Sequence, residues 1–236
     1  MTAVWRKELR SYFLTPVAYV FIGVFLALSS LFFYRQILAQ RSSDLLTFIS
    51  LMGYLWMLLT PVLTMRLLAE ERHRRTDQLL FTCPVSPAAI TAGKFFAAMT
   101  VEIVTVALTS VYVLVIGLYG RVYPGEVLTG YLGLIFQGCA FVAVDLLVSA
   151  FVRTPAIAAA AAFGVNLALW MADLLTELAP RWLSTILSAV SLYARCEPLM
   201  MGQLSFASLF FFVSVTVMAL VLTAHVLDRH RWKRGG

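Results

Sequence analysis

Charged residues are scarce in this chain of 236 residues. They make up 13% of the sequence, whereas a typical soluble domain has about 25%. Hydrophobic residues make up 61%, against a usual share of about 45 to 50%. A domain surrounded by water on all sides needs more surface charge than this. The composition therefore excludes an ordinary soluble domain and predicts an integral membrane protein.

Cysteines are also few, and motifs for cofactors are missing. Cys83, Cys139 and Cys196 are widely spaced and form no C-x-x-C pair, a pattern typical of small buried hydrophobic residues. The one Gly-Lys pair, Gly93-Lys94, lacks the upstream glycine and the following hydroxyl of a P-loop. We therefore expect no metal or nucleotide bound by this chain, and no catalytic residue of its own. Any ATP-driven work would draw its energy from a second chain.

The sequence is rich in long runs of apolar residues. About 20 apolar residues suffice to cross about 30 Å of hydrocarbon as a helix. Six runs meet this length, at about 17–38, 45–68, 88–119, 127–151, 155–178 and 204–227. They account for most of the chain, so we predict an all-α integral membrane protein with one membrane domain over residues 1–236.

Two further segments are predicted to be helical without crossing the membrane. In residues 2–13, Trp5 and other apolar residues share one face, while Arg6, Lys7 and Arg10 lie on the opposite face; Glu8 belongs to the same helix. This pattern predicts a helix lying in the membrane interface. The segment between spans five and six is apolar but contains Pro198 and Gly202. We expect a non-spanning helical hairpin there, in the outer leaflet and shielded by protein.

The distribution of basic residues predicts the orientation. Thirteen of the 18 lysines and arginines lie in the amino terminus, in 66–94, at 153 and in the carboxyl tail. Positive charge marks the cytoplasmic side, so both termini are expected in the cytoplasm of a bacterial or archaeal cell, with the chain in its cytoplasmic membrane. Stacking aromatics are not interleaved with these charges, so no nucleic-acid binding is expected.

Prolines mark several helix boundaries. Pro61 falls inside span two, where it is expected to bend the helix near its cytoplasmic end. A hydroxyl residue followed by proline predicts an N-cap and a first helical residue. This pair precedes three spans, as Thr15-Pro16, Ser86-Pro87 and Thr154-Pro155.

A highly charged segment, E-E-R-H-R-R-T-D-Q-L-L-F-T-C-P-V-S, separates spans two and three. The charged helix end predicted over Arg66–Arg75 continues span two into the cytoplasm. A short helix is then expected, with Thr76 as N-cap, Asp77 in the first turn and an apolar side that includes Leu79 and Leu80. Two turns of helix are unstable alone in water, so this helix must dock against a partner. The alternative is a solvated charged loop.

The residues Glu70, Glu71 and Arg75 spell E-E-x-x-x-R, which resembles the core of glutamate-dependent intramembrane proteases. Those enzymes need further histidines on neighbouring spans. Here His225 and His230 lie near the carboxyl end without the expected frames. The neighbouring arginines favour ion pairing of both carboxylates.

Three polar residues are predicted to lie inside the membrane. Glu102 and Asp145 each lie about 12 Å from the nearest cytoplasmic basic residue, and we expect them at similar depth. Asn166 on span five is a weaker case. Intramembrane carboxylates are candidate functional groups, for gating, substrate contact or a proton relay. They could equally form hydrogen bonds that hold helices together, with Thr100, Thr105 or Ser149 as partners. An ion-gradient-driven secondary transporter or channel that uses Glu102 and Asp145 is thus an alternative function.

Several features together resemble the permease subunits of ABC transporters of the ABC-2, or type V exporter, class. They are W-R-K-E-L-R-S-Y-F-L-T-P-V-A-Y-V, T-M-R-L-L-A-E-E-R-H-R-R-T-D-Q-L-L-F-T-C-P-V-S, G-K-F-F-A-A, the outer hairpin and the tail L-D-R-H-R-W-K-R. Within the class, the chain is most similar to the gliding-motility type, which tends to carry S-P-x-A-Y where this chain has T-P-V-A-Y. The family pattern usually has Gly-Thr-x-Glu in the cytoplasmic segment, where this chain has R-T-D-Q.

The resemblance implies that residues 70–86 form a coupling helix in a groove of a separate nucleotide-binding subunit, which would bind ATP and Mg²⁺. The residues expected at that contact are Glu70, Glu71, Arg72, Arg74, Thr76, Asp77, Leu79, Leu80 and Phe81. It also implies an exporter with two ATPase subunits and a second permease, either a copy of this chain or a related one. An auxiliary subunit with an external domain is a further expected partner.

Overall fold

The computed structural model describes residues 1–39, 44–73, 86–119, 123–176, 180, 184 and 191–234. Within these ranges the chain forms helices and no strand. In chain order the helices are α1 (Thr2–Leu14), α2 (Val17–Phe33), α3 (Leu45–Thr64), α4 (Ala69–His73), α5 (Pro87–Tyr119), α6 (Pro124–Phe151), α7 (Pro155–Thr176), α8 (Leu192–Met200) and α9 (Phe206–Arg234). A π-helical turn, Tyr34–Leu38, continues α2.

Six helical stretches are long and apolar enough to cross a membrane, as the sequence predicts. They are formed by α2 with its π-helical turn, α3 with α4, α5, α6, α7 and α9. The protein is therefore an all-α, multi-pass membrane protein. The observed bounds differ from the predicted ones by a few residues, most of all in the last span. There α9 runs on to Arg234 as one helix, because its charged end has helix-forming residues and no breaker.

The predicted helix starts are correct in position, but the caps differ. Ser86 Oγ accepts a hydrogen bond from the Ala89 backbone N–H at 3.3 Å, as expected for an N-cap. The Thr15 hydroxyl instead donates backwards to the Ser11 carbonyl at 2.7 Å, and Pro16 is the N-cap of α2. Thr154 precedes Pro155 as predicted, yet its buried hydroxyl makes no hydrogen bond with the described residues.

The helix α6 lies at the centre of the bundle. It packs against α3, α5, α7, α8 and α9. Small buried residues such as Gly133, Gly138 and Ala143 allow its neighbours to approach closely. The helix α2 is held on the outside of α3 by stacked aromatic rings, with the centroids of Phe25 and Trp56 4.5 Å apart.

The helix α8 belongs to the segment predicted as a non-spanning hairpin. Its nine residues are about 14 Å long, too short to cross a membrane. Even so, Leu192, Cys196 and Leu199 are fully buried against the bundle. Pro198 lies inside the helix, and Gly202, at φ 75°, provides the left-handed turn after it. Most of the first half of the predicted hairpin lies outside the described residues.

Candidate functional site

The second span is interrupted close to the charged segment. The helix α3 ends at Thr64, residues 65–68 are not helical, and α4 begins at Ala69. The continuous charged helix end predicted over Arg66–Arg75 is therefore broken near its start. Pro61 lies inside α3 one turn before the break and has no N–H to donate, so the bond it removes is the one to the carbonyl oxygen of Met57.

Two side chains of α6 bind the chain on either side of this break. The Thr64 hydroxyl donates to Asp145 Oδ2 at 3.1 Å. The Ala69 backbone N–H donates to Ser149 Oγ at 3.1 Å. Asp145 and Ser149 are four residues apart, so they lie one above the other on the same face of α6. The end of α3 and the start of α4 are therefore both attached to the central helix.

Asp145 also joins α6 to α7. Asn166 Nδ2 donates to Asp145 Oδ1 at 2.8 Å, and both side chains are buried. Each carboxylate oxygen of Asp145 thus has a donor, one from Asn166 and one from Thr64. The predicted partner Ser149 accepts from the Ala69 N–H instead, and among the described residues no hydrogen bond joins it to Asp145. Asp145 and Asn166 thus connect α6 to α7 and to the end of α3.

The most heavily buried cation in the described chain is Lys94 on α5, with a side chain only 1% exposed. Its ammonium group lies 3.1 Å from Glu8 Oε1 and 3.0 Å from Glu71 Oε1. It also donates to the carbonyl oxygen of Leu67 at 2.5 Å. An ammonium group has three N–H donors, so these three acceptors account for all of them.

Lys7 completes what we term the charge cluster, made up of Lys7, Glu8, Glu71 and Lys94. Its ammonium lies 3.5 Å from Glu71 Oε1 and 3.7 Å from Glu8 Oε1, with the side chain 65% exposed. Two positive and two negative groups therefore meet, on α1, α4 and α5. Charges withdrawn from water are tolerated only when paired in this way.

The helix α1 is seated closely on α5 beside this cluster. A Cβ atom at Gly93 would lie 2.9 Å from Val4 Cβ and 3.2 Å from the Trp5 backbone nitrogen, so glycine permits the approach. The indole N–H of Trp5 donates to Thr100 Oγ1 at 3.3 Å. Arg6 and Arg10 are exposed, as predicted for an interfacial helix, whereas Glu8 turns inward to Lys94.

Tyr12 attaches α1 to the end of α3. Its buried hydroxyl donates to the Leu63 carbonyl oxygen at 3.0 Å. Burial, together with the nearby Glu8 carboxylate, raises the pKa of Tyr12 far above its ordinary value. The phenol therefore keeps its proton and remains a hydrogen-bond donor at physiological pH.

The described part of the predicted coupling segment is its beginning. Glu70 Oε2 lies 3.8 Å from Arg66 Nε, and Glu71 belongs to the charge cluster. Arg72 is partly buried on α4. The other predicted contact residues, Arg74, Thr76, Asp77, Leu79, Leu80 and Phe81, lie outside the described residues. The charge cluster nevertheless joins α4 and α5, the helices on the two sides of residues 74–85.

Glu102 is placed differently from the prediction. Its carboxylate is buried against Gly138, where a Cβ atom would overlap it, and it has no hydrogen-bond partner among the described residues. The predicted partners are engaged elsewhere: Thr105 donates to the Val101 carbonyl and Thr100 accepts from Trp5.

The relative depth predicted for Glu102 and Asp145 is also wrong. Glu102 lies opposite Gly138, whereas Asp145 lies seven residues further along the same helix. Seven residues correspond to about 10 Å along a helix axis, and Asp145 is on the side of the charge cluster. The two carboxylates therefore do not form a pair in the bundle.

The pairing of Glu70 and Glu71 bears on the resemblance to intramembrane proteases. Both carboxylates are close to cations, Arg66 in one case and Lys94 in the other, instead of facing an open position for water. In the described ranges, no group of three or more histidine, cysteine, aspartate or glutamate side chains could hold a metal ion. The protease hypothesis gains no support from this geometry.

Sequence reasoning overlooked Lys94 as a site residue, because a lysine near a membrane end also serves as a topology signal. The available signal was its position: it lies seven residues inside an apolar helix that begins at Pro87, and it follows a glycine.

The chain matches no protein-family model and has no match among curated proteins.

Proposed function

We propose that this chain is the transmembrane permease subunit of an ATP-driven exporter of the ABC-2 class. In this proposal a separate ATPase subunit, carrying ATP and Mg²⁺, docks on residues 70–86. The observation that carries the proposal is the charge cluster. It joins the interfacial helix α1 to the helices on both sides of that segment. Such a junction suits a chain that receives mechanical force from outside the membrane.

The polar contacts around the break in span two suggest the path of the force. A push on residues 74–85 would act on α4 and α5 together, because Lys94 holds Glu71 of α4 and the Leu67 carbonyl. It would also act on α1 through Glu8. From α4 it would pass to α6, which contacts most of the other spans. Conformational changes in proteins commonly occur by the movement of packed helices as rigid units.

The assembly follows from the resemblance and from the charge distribution. We propose two ATPase subunits and two permeases, the second being a copy of this chain or a related chain, with an external auxiliary subunit as a further partner. Both termini and residues 70–86 would lie in the cytoplasm of a bacterial or archaeal cell, and the chain would be a non-catalytic subunit. The predicted outer-leaflet hairpin would include α8.

Copurification tests the docking of the ATPase. The tagged chain would be purified from its native membranes and the copurifying proteins searched for a P-loop ATPase; Leu79→Asp combined with Leu80→Asp should abolish this copurification, since two apolar contacts would become charged. Leu204→Asp, at an exposed leucine between α8 and α9, is the control and should copurify normally. Retention of the ATPase by the double variant would contradict the proposal.

A second candidate function rests on Glu102. A buried carboxylate without a hydrogen-bond partner is costly, and such groups inside membranes often serve ions or substrates. An ion-driven transporter would need no ATPase. Transport by the purified chain alone in vesicles with an imposed ion gradient, lost on Glu102→Gln, would favour this function over the exporter.

A further inference from the structure

A concave groove lies between α1 and α5. It has a volume of about 310 Å³ and almost wholly apolar walls. Its lining residues are Met1, Thr2, Trp5, Phe96, Met99, Thr100 and Ile103. Two of the lining residues are hydrogen-bonded to each other, because the Trp5 indole N–H donates to the Thr100 hydroxyl oxygen. The polar atoms of these two side chains therefore already have partners. The rest of the lining is apolar apart from Thr2, so an occupant would be held mainly by van der Waals contact.

The groove opens on the exposed surface of α5, a helix long and apolar enough to span a membrane. Phe96 and Ile103 lie on α5, a spanning helix, and their exposed fractions are 46% and 50%. Water would solvate such walls poorly, whereas the hydrocarbon chains around a spanning helix would fill them. The groove is lined jointly by a spanning helix and by the amphipathic helix α1, so an occupant would have its polar end near α1.

Basic side chains continue from the groove along one side of α1. Thr2, Arg6 and Arg10 follow one another at four-residue spacing, which places them in a row on a helix. Both arginines are exposed. In contrast to Lys7, which pairs with Glu71, neither arginine forms an ion pair with a carboxylate in the described part of the chain. Two guanidinium groups are therefore available beside an apolar groove.

We propose that this groove binds one acyl chain of an anionic phospholipid, with the lipid phosphate held by Arg6 and Arg10. The apolar walls of the groove match the acyl chain, and the two arginines, which have no carboxylate partner among the described residues, match the phosphate. Other exposed apolar residues of α5, such as Val111, lie outside the groove and are expected to contact lipids without selecting among them.

Native mass spectrometry of the purified full-length chain tests the groove. The probes are dioleoyl phosphatidylglycerol and dioleoyl phosphatidylcholine, added to delipidated protein in detergent. We expect one phosphatidylglycerol molecule to bind in preference to phosphatidylcholine. Ile103→Trp fills the groove and should abolish this preferred binding, whereas Val111→Trp, the same bulk on an exposed part of α5, should preserve it. Equal binding by the two variants would overturn the proposal.

The arginines are tested separately. Arg6→Gln and Arg10→Gln should each lower the preference for phosphatidylglycerol about fivefold, since a basic residue at an anionic surface contributes about 1 kcal/mol. Arg35→Gln removes an exposed positive charge beyond α2 and should leave the preference unchanged. An unchanged preference in the Arg6 and Arg10 variants would overturn the headgroup assignment. The assay contains no ATPase, so its result is independent of the proposed exporter function.

Discussion

Lys94 Nζ lies 3.0 Å from Glu71 Oε1, and this ion pair joins the start of the third span to the short helix that follows the second. The same ammonium group binds Glu8 of the interfacial helix. Because the Lys94 side chain is 1% exposed, the pair is shielded from solvent and from salt. Three helices therefore share one buried cation, and their relative positions depend on it.

Replacement of Lys94 by methionine should strongly destabilise the protein. Glu8 and Glu71, which are largely withdrawn from water, would lose their buried cation and keep only the exposed Lys7, and removal of one partner from a buried pair costs about 3 to 5 kcal/mol. The measurement is thermal unfolding of the purified chain in detergent. Lys7→Met is the control, because that side chain is 65% exposed and its pairs contribute at most about 1 kcal/mol.

A triple variant separates charge from packing in the same experiment. Glu8→Gln and Glu71→Gln added to Lys94→Met remove the uncompensated negative charges, so much of the lost stability should return. Equal stability of the Lys94→Met and Lys7→Met variants would show that the cluster does not hold the three helices together.

Replacement of Asp145 by alanine should cost more stability than replacement of Asn166 by alanine. Asp145 accepts from both Thr64 and Asn166, and its loss leaves the buried Asn166 amide unpaired at a cost of about 1 to 3 kcal/mol, whereas the Thr64 hydroxyl keeps the Thr60 carbonyl oxygen as an acceptor. Loss of Asn166 leaves Asp145 with its bond from Thr64. Unfolding in detergent is the measurement, and a larger loss for the Asn166 variant would contradict the assigned geometry.

The spans could be predicted from the sequence, because each needs only a long apolar run and its boundaries are often marked by proline. The helix α1 was predictable for a similar reason, since residues 2–13 have a helical periodicity of their own. The charged segment was recognised as unusual, and its first residues do contact other helices. These features are local, so they are readable from residues close together in the chain.

The buried polar contacts could not be predicted, because they depend on how distant helices are aligned. Asp145 was expected to bind residues such as Ser149, but the packing of α6 between α3 and α7 brings Thr64 and Asn166 to it. Lys94 was interpreted only as a positive charge that marks the cytoplasmic side, so its contacts with other helices were not predicted. Only the fold brings Glu8 and Glu71 to opposite sides of its ammonium group.

Replacement of Gly138 by alanine should be destabilising, although alanine usually favours a helix. A Cβ atom at this position would overlap the buried Glu102 carboxylate, which would have to rotate away from α6 within the bundle. Gly164→Ala on α7 is the matched control, because nothing lies within 4 Å of its added Cβ atom. That variant should gain up to about 1 kcal/mol from helix propensity.

A second substitution tests the cause of this effect. Glu102→Ala in the Gly138→Ala background removes the overlapping group and should restore stability towards that of Glu102→Ala alone. If the two glycine variants unfold at the same temperature, Glu102 does not lie against Gly138.

Glu8→Gln should separate ATPase docking from force transmission in the proposed exporter. Residue 8 is part of the charge cluster but not of segment 70–86, so the variant should still copurify with the ATPase, unlike the Leu79 and Leu80 double variant.

The weaker bond of Glu8→Gln to Lys94 should loosen α1 from α4 and α5, because a neutral amide binds an ammonium group less strongly than a carboxylate does. We therefore expect a severalfold lower ATP turnover in the reconstituted complex, measured by phosphate release. Ser11→Ala, at an exposed position of α1 outside both the charge cluster and the proposed lipid site, is the control and should turn over ATP at the normal rate. Loss of ATPase binding by Glu8→Gln would instead assign the cluster to the docking surface, and normal turnover would remove it from the transmission path.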